Sequence, residues 1–192
     1  LEMDDVHRAA LLHPGPVIWP TVLGDAEAGM PAVLTAAVRG YEAMIAIGAT
    51  LDARHYAFWH NTTTAGVFGA AAGVGSLFGC DADEMVSALG LAGSVSGGFW
   101  QMRHEPVAAK QWHLAHALQT GGSAAFYAAH GVTGPRAILE GPQGLYAATC
   151  AAPRPLLLGD GWRIDEVSFK PWAACRHAHP AIDAAIELKA RG

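Results

Sequence analysis

The sequence predicts a mainly α-helical fold, with a helical unit over residues 1–155 and the start of an α+β unit over residues 156–192. Two observations predict this division. Apolar residues recur at helical spacing over most of the first 130 residues, and from residue 162 they alternate instead. Between these regions lies APRPLLLGDG, whose two prolines and two glycines are typical of a boundary between units.

The first two helices are predicted from apolar spacing and proline placement. An apolar run follows HPGPVIWP and extends to Glu27, with Pro16 and Pro20 acceptable in a first turn. Residues 31–50 then place a set of apolar side chains on one helical face: Val33, Ala37, Tyr41, Met44 and Ile47.

Three further helices of the first unit are marked by their ends. NTTTAGVFGAAAGVGSLFG begins with N-cap candidates, Asn61 or a following threonine, and ends at Gly79. Asp81 and Glu84 have the spacing of a capping box at the start of the next helix. Residues 107–130 form another helix, which Gly131 ends.

The second unit is predicted to begin with a strand and a helix. WRIDEVSFK, over 162–170, alternates imperfectly between the two faces of a strand, and HPAIDAAIELKAR returns to helical spacing. Such a strand has no predicted partner in this chain, and a lone strand cannot satisfy its backbone groups. Because the chain also lacks an initiating methionine and ends within a helical pattern, we expect both units to be partial and to belong to a longer protein.

Composition and motifs exclude several functions. Apolar residues make up 52% of the chain and charged residues 15%, which suits a buried core, and a net charge of −5 gives no reason to expect nucleic acid or an anionic membrane as a partner. Three cysteines without CxxC spacing favour a reducing compartment. No apolar run is long enough to cross a membrane, and no leader is visible at the start of the chain.

The common catalytic and metal motifs are also missing from the sequence. There is no P-loop, GxSxG or HExxH pattern, and the glycine-rich stretch fails GxGxxG, so we interpret its small residues as allowing two helices to approach closely. His177 and His179 could form a metal pair but have no third ligand nearby, so we expect no metal.

Polar side chains instead gather at the ends of the predicted elements. His60 precedes a helix, where free backbone N–H groups favour an anion, and Lys110 and His113 lie three residues apart on one helical face. Trp112 should then point away from them, into helix packing. Each residue alone has an ordinary explanation as a cap or a solvated side chain, but together they indicate a site in a chain that uses charge sparingly.

Five segments in order resemble the MmgE/PrpD family, which includes 2-methylcitrate dehydratase, cis-aconitate decarboxylase and an iminodisuccinate epimerase. They are DDVHRAALLHPGPVIWPTVLG, WHNTTTAGVFGAAAGVGSLFG, AAKQWHLAHALQTG, GVTGPRAILEG and SFKPWAACRHAHPAIDA. The resemblance covers essentially the whole chain. It implies a helical domain and an α+β lid domain, with a pocket between them that binds a small polycarboxylate without metal or organic cofactor.

The resemblance also implies the site residues. Those expected to be catalytic are His13, His60, Lys110 and Lys170. Those expected to bind substrate are Glu2, His113 and Cys175 from the resemblance, and Asp5, Arg176 and His177 from their place among the polar side chains at the ends of elements. Glu2 stands where many members have aspartate, and Val6 where they often have threonine. Cys175 replaces the histidine of the decarboxylase, which weighs against decarboxylation.

These residue types suit removal of a proton next to a carboxylate. Negative charge then develops on the substrate, so cations are needed where it develops, and Lys110, Lys170 and Arg176 can supply them. Histidine is a suitable base near neutral pH, and His13 and His60 are predicted to form the acid/base pair in an order that the sequence leaves open.

The predicted function is a cofactor-free lyase of the 2-methylcitrate dehydratase type, in a cytoplasmic homodimer. A dicarboxylate epimerase or isomerase begins with the same proton abstraction and is the nearer alternative. A non-catalytic helical module for binding or oligomerisation is the other.

Overall fold

The computed structural model describes residues 3–24 and 28–192, which contain eight α-helices and one small sheet. The sheet pairs β1 (Asp5–Val6) with β2 (Ser168–Phe169). The helices, in chain order, are α1 (Gly15–Val22), α2 (Met30–Thr50), α3 (Ala53–Phe58), α4 (Asn61–Leu77), α5 (Ala82–Ser94), α6 (Ala109–Ala129), α7 (Leu145–Thr149) and α8 (His179–Ala190). Short 3₁₀ turns lie at Trp100–His104, Arg163–Glu166 and Arg176–Ala178. The fold is mainly α, as the sequence predicted.

Helix α4 is the centre of the fold. Fourteen of its seventeen residues are buried, because α1, α2, α5 and α6 surround it. A helix that is buried on every side needs small or apolar residues around its whole circumference, which the NTTTAGVFGAAAGVGSL sequence supplies. Its largest side chain, Phe68, is fully buried in the core that α4 shares with α2 and α6.

Close approach between α4 and α6 depends on glycine. A Cβ atom added at Gly121 of α6 would lie 2.4 Å from the carbonyl oxygen of Val67 and 2.5 Å from the Cβ of Ala70. Gly122, the next residue, has space around it, with its nearest neighbouring atom at 3.8 Å. The prediction that small residues allow two helices to approach closely therefore describes this contact.

The helix ends follow the predicted chemistry with one exception. Asp81 and Glu84 form both hydrogen bonds of a capping box at the start of α5, and Gly79 has the positive φ of +69° that ends α4. The N-cap of α4, however, is His60 rather than Asn61 or a threonine, and its side chain does not cap the helix. The sequence also gave no indication of the short helices α3 and α7.

The predicted strand over 162–170 was wrong for most of its length. Arg163–Glu166 is a 3₁₀ turn, and only Ser168 and Phe169 are extended. The expectation that this strand lacks a partner was also wrong, since β2 pairs antiparallel with β1 at the start of the chain. His7 strengthens this junction: its Nδ1 accepts the backbone N–H of Ala10, so Nε2 carries the proton and donates to Glu166 Oε2 at 2.8 Å.

The last part of the chain packs loosely on the helices. Asp52 caps α3 and also accepts the backbone N–H groups of Ala151 and Ala152, each at 2.7 Å, which fixes the segment that leaves α7. These backbone hydrogen bonds lower the pKa of Asp52 to about 2, and the one from Ala152 has the largest effect. Beyond β2, α8 buries only His179.

Among the described residues, α2 is the one helix whose length and apolar composition would allow it to cross a membrane, although the sequence suggested no such segment. Of the apolar 18-residue stretch in this helix, 56% is buried inside the fold, where Val33, Tyr41 and Met44 join the core. A buried core helix meets the same criteria, so α2 is weak evidence for a membrane.

Candidate active site

The candidate active site is a small cavity where the start of the chain meets α4 and α6. Polar side chains from all three regions line it: Asp4, His13, His60, Thr62, Lys110 and Gln111. Leu114 contributes the apolar part of the wall. Three of the four residues predicted to be catalytic therefore face one cavity, and the fourth, Lys170, is linked to it through Asp4.

The start of the chain is held against α4 by backbone and side-chain hydrogen bonds. His7 and Leu12 pair through their backbones, and the Asn61 side chain donates to the carbonyl of Ala10 at 3.1 Å. The backbone N–H of His13 donates to the Thr62 hydroxyl at 3.2 Å. These bonds fix His13 beside the first turn of α4, next to His60.

The hydrogen bonds of His13 determine which ring nitrogen can act as a base. Its Nδ1 lies 2.9 Å from the carbonyl oxygen of Asp5 and 3.4 Å from Asp4 Oδ2. A carbonyl oxygen can only accept, so Nδ1 carries a proton and donates it. The neutral imidazole then has its lone pair on Nε2, with the Asp4 carboxylate on the opposite side of the ring. This is the arrangement of an oriented general base.

Asp4 connects His13 to Lys170. The ammonium of Lys170 pairs with Asp4 Oδ1, and the backbone N–H of Lys170 donates to the carbonyl of Asp4 at 3.2 Å. Both side chains are almost fully buried, at 2% exposure for Lys170 and 9% for Asp4. Burial raises the pKa of Asp4, but hydrogen bonds and charge from His13 and Lys170 outweigh it and lower the pKa overall. The carboxylate therefore stays ionised.

His60 is buried in a neutral form. Burial, together with the smaller effects of the charges of His113 and Lys110, lowers its pKa to about 3. Its Nδ1 lies 2.9 Å from the Thr63 hydroxyl and 3.4 Å from Nδ1 of His113. Burial also lowers the pKa of His113. Because both rings are neutral, one nitrogen of the close pair donates and the other accepts, so the tautomers of His60 and His113 are coupled.

The segment that includes the first 3₁₀ turn covers His60. The Trp100 ring lies 4.4 Å from the His60 ring between centroids, and the Arg103 guanidinium stacks 3.4 Å from the Trp100 ring centroid. The backbone N–H of His60 donates to the carbonyl of Gly98 at 2.8 Å. Gly98 has a φ of +108°, and a Cβ there would lie 3.3 Å from His113 Nδ1, so glycine allows this close cover.

The other predicted site residues lie outside the cavity. Asp5 is buried, but its two carboxylate oxygens accept from the Gly15 N–H at 2.8 Å and the Tyr41 hydroxyl at 2.6 Å. These bonds hold the start of α1 against α2. His113 lies behind His60 rather than on the cavity wall.

The predicted residues that follow β2 are separate from this group. Cys175, Arg176 and His177 are exposed, and the Cys175 thiol lies 3.7 Å from His177 Nδ1. Glu2 lies outside the described residues. Trp112, which we expected to pack between helices, is 67% exposed, because the face of α6 opposite the cavity has no neighbour among the described residues.

Four residues around the cavity were not predicted. Asp4 adjoins the predicted Asp5, and alternation along an extended segment could have placed the two on opposite sides. Thr62 and Gln111 adjoin the predicted His60 and Lys110, but helical spacing alone does not show that a neighbour lines the same cavity. Trp100 lies in a segment without periodicity. Among the described residues no group of three or more His, Cys, Asp or Glu side chains is placed to hold a metal ion.

Comparison with known proteins identifies relatives of the chain. The family model of the MmgE/PrpD N-terminal domain matches residues 1–156. Over 215 residues, the chain is 25% identical to the cis-aconitate decarboxylase-like protein oryM of Aspergillus oryzae, in a match that covers 98% of the chain and 44% of that protein. The chain thus spans less than half the length of this curated relative.

Proposed function

The chain belongs to the MmgE/PrpD family, and from that premise we propose that it is part of a cofactor-independent lyase of the 2-methylcitrate dehydratase type. The proposed reaction removes a proton from carbon next to a carboxylate of a small polycarboxylate and then expels a hydroxyl group. The observation that carries the proposal is the cavity that brings His13, His60 and Lys110 together.

His13 is the base in this proposal. Its Nε2 has the lone pair, and the ionised Asp4 stabilises the imidazolium that forms when Nε2 takes the proton. The lowered pKa of His60 makes it a poor base near neutral pH, which supports His13 for that role. A neutral His60 can still contribute by hydrogen bonding to a substrate in the cavity.

Lys110 provides positive charge on the cavity wall. It is the one cation among the described residues that line the cavity, so its ammonium is positioned to stabilise negative charge and to protonate a leaving hydroxyl. Lys170 has its charge paired with Asp4, so we assign it to positioning Asp4 and, through Asp4, His13. A homodimer in the cytoplasm remains part of the proposal, on the family resemblance alone.

Two related reactions compete with dehydration. Epimerisation of a dicarboxylate uses the same base, and decarboxylation is suggested by the name of the A. oryzae relative. Cys175 stands where the resemblance places the histidine of the decarboxylase, which favours dehydration over decarboxylation.

Proton exchange tests the proposal directly. The full-length protein would be incubated in deuterated water with 2-methylcitrate, cis-aconitate and aspartate-derived dicarboxylates, and followed by NMR. We expect deuterium at the carbon next to a carboxylate, together with the alkene product, and loss of both in His13→Asn. Arg136→Gln, on the exposed surface, is the control and should behave as wild type. Exchange that survives in His13→Asn would remove this histidine as the base.

A further inference from the structure

The ring of His60 offers one nitrogen to the cavity. Its Nδ1 points toward the Thr63 hydroxyl at 2.9 Å and toward Nδ1 of His113 at 3.4 Å, and neither of these residues lines the cavity wall. Its Nε2 has no hydrogen-bond partner within the described ranges, 3–24 and 28–192, and unlike Nε2 of His55 it is not sealed from solvent. Because His60 itself lines the cavity, Nε2 is the nitrogen that a bound substrate can reach.

Thr63 determines which nitrogen of His60 carries the proton. Its side chain is fully buried, and in the described part of the chain its hydroxyl has only Nδ1 of His60 within hydrogen-bond range. The hydroxyls of Thr21 and Thr35 instead donate to the carbonyl four residues earlier in their helices. If Nδ1 of His60 donated to Thr63, the hydroxyl proton would be buried without an acceptor, which is unfavourable. Thr63 therefore donates to Nδ1, and the proton of the neutral imidazole is on Nε2.

His113 supports the same arrangement. If Nδ1 of His113 carried no proton, its lone pair would face the lone pair on Nδ1 of His60, so Nδ1 of His113 is protonated. Its N–H then shares the acceptor with the Thr63 hydroxyl, which lies closer, at 2.9 Å against 3.4 Å, and makes the stronger contact. Burial lowers the pKa of both histidines, so the two rings keep this arrangement near neutral pH.

We propose that Thr63 is a positioning residue, which fixes the proton of His60 on Nε2 so that His60 donates a hydrogen bond to the substrate carboxylate beside the carbon that loses its proton. The inference rests on the proposed function and adds the part that His60 plays in it. A neutral histidine can act on a substrate oxygen in this way, as an electrophile rather than a base.

The reaction gives this hydrogen bond its effect. When His13 takes the proton from carbon, the C–H electron pair forms a double bond to the carboxylate carbon, and a carboxylate oxygen gains the negative charge. The hydrogen bond from Nε2 of His60 becomes stronger as the charge develops, so it stabilises the transition state more than the bound substrate. The carboxylate then re-forms, the electron pair becomes the second bond of the alkene, and the C–O bond breaks toward an oxygen that Lys110 protonates. His60 keeps its own proton throughout.

Nitrogen NMR tests the tautomer, and deuterium exchange tests its effect. The full-length protein, labelled with ¹⁵N in histidine, would be measured without substrate, and the His60 signals would be assigned by their loss in His60→Gln. We expect a protonated Nε2 and an unprotonated Nδ1. In Thr63→Val the proton should move in part to Nδ1. Exchange of the C–H bond of 2-methylcitrate or an aspartate-derived dicarboxylate should then fall roughly tenfold or more, mainly in the rate at saturating substrate. Thr63→Ser keeps the hydroxyl and should restore both.

Thr64→Val is the matched control. Thr64 is the next residue of α4 and is 1% exposed, but its hydroxyl has no partner among the described residues and it lines a different groove. The tautomer of His60 and the exchange rate should therefore match the wild type.

The outcomes separate the inference from the proposed function. A wild-type His60 with its proton on Nδ1 would overturn the inference even if C–H exchange occurs, and the wild-type spectrum gives this answer whether or not Thr63→Val folds. Slower exchange in Thr63→Val with an unchanged tautomer would also overturn it, because Thr63 would then act only through packing. If no substrate exchanges in the wild type, the proposed function fails whatever the tautomer, and the hydrogen bond to substrate fails with it.

Discussion

The pair of Asp4 and Lys170 makes a quantitative prediction about stability and activity. Both side chains are buried, so removal of one partner leaves the other as an uncompensated charge. Breaking a buried ion pair in this way costs roughly 3–5 kcal/mol. Asp4→Asn should therefore lower the free energy of unfolding by about 3 kcal/mol. Lys170→Met should cost less, about 2 kcal/mol, because Asp4 keeps His13 as a partner.

The double variant shows whether the two side chains act together. Asp4→Asn with Lys170→Met removes both charges, and its loss should be about 2–3 kcal/mol rather than the sum of about 5 kcal/mol. Urea denaturation of the full-length protein, followed by circular dichroism, measures all three values. The difference from additivity is the coupling free energy of the pair.

Activity should depend on Asp4 separately from stability. Loss of its charge-assisted contact with His13 is worth about 2 kcal/mol, or roughly 30-fold in kcat/KM. The loss is smaller than for a triad aspartate, because the carbonyl of Asp5 still fixes the tautomer of His13. The double variant should be as impaired as Asp4→Asn. If Lys170→Met keeps its unfolding free energy within about 0.5 kcal/mol while kcat/KM falls tenfold, Lys170 contacts the substrate instead and our reasoning is refuted.

Three further predictions concern the fold. Gly121→Ala should destabilise the protein by about 1–3 kcal/mol in urea denaturation, because its Cβ would overlap α4. Gly122→Ala, where there is space for a Cβ, should be neutral or stabilising by up to about 1 kcal/mol. Equal effects of the two variants would contradict the close packing of α4 and α6. Burial lowers the pKa of His55 to about 4 and that of His60 to about 3, so the unfolded chain binds their protons first as the pH falls below about 6.5. The free energy of unfolding should therefore reach its full value above pH 6.5 and be lower by roughly 2 kcal/mol per histidine at pH 5. In His55→Gln it should depend less steeply on pH, and an unchanged slope would show that His55 does not contribute. Trp112→Ala should change the unfolding free energy by less than about 0.5 kcal/mol, since the ring is exposed, and a larger loss would show that something covers it.

The long helices could be predicted from the sequence because their signals are local, whereas the short α3 and α7 could not. Asp81 and Glu84 cap their own helix, and the small residues of α4 show a buried helix without reference to its neighbours. The segment over 163–169 could not be predicted in the same way. Its alternation is weak, and a pairing with residues at the other end of the chain makes Ser168 and Phe169 extended.

The candidate site, too, could be predicted only in part, because some of its residues are recognised only from contacts in three dimensions. His13, His60, Lys110 and Lys170 were predicted, because the resemblance carries their positions. Asp4 was not, since its importance comes from burial against Lys170. Thr62 was seen only as a possible helix cap, because its contact with the N–H of His13 is visible only in three dimensions.

The junction between β1 and β2 determines when the cavity can exist. His7 and Glu166 are 159 positions apart in the chain, and closing a loop of that length costs about 4–5 kcal/mol of chain entropy. Closure is favourable only after the helices between them have packed, so we expect this junction to form late in folding. During synthesis Asp4 leaves the ribosome roughly 8–30 s before Lys170, at about 5–20 residues per second. For that interval its carboxylate has no ammonium partner, so the pair that we propose to orient His13 is incomplete until Lys170 has left the ribosome.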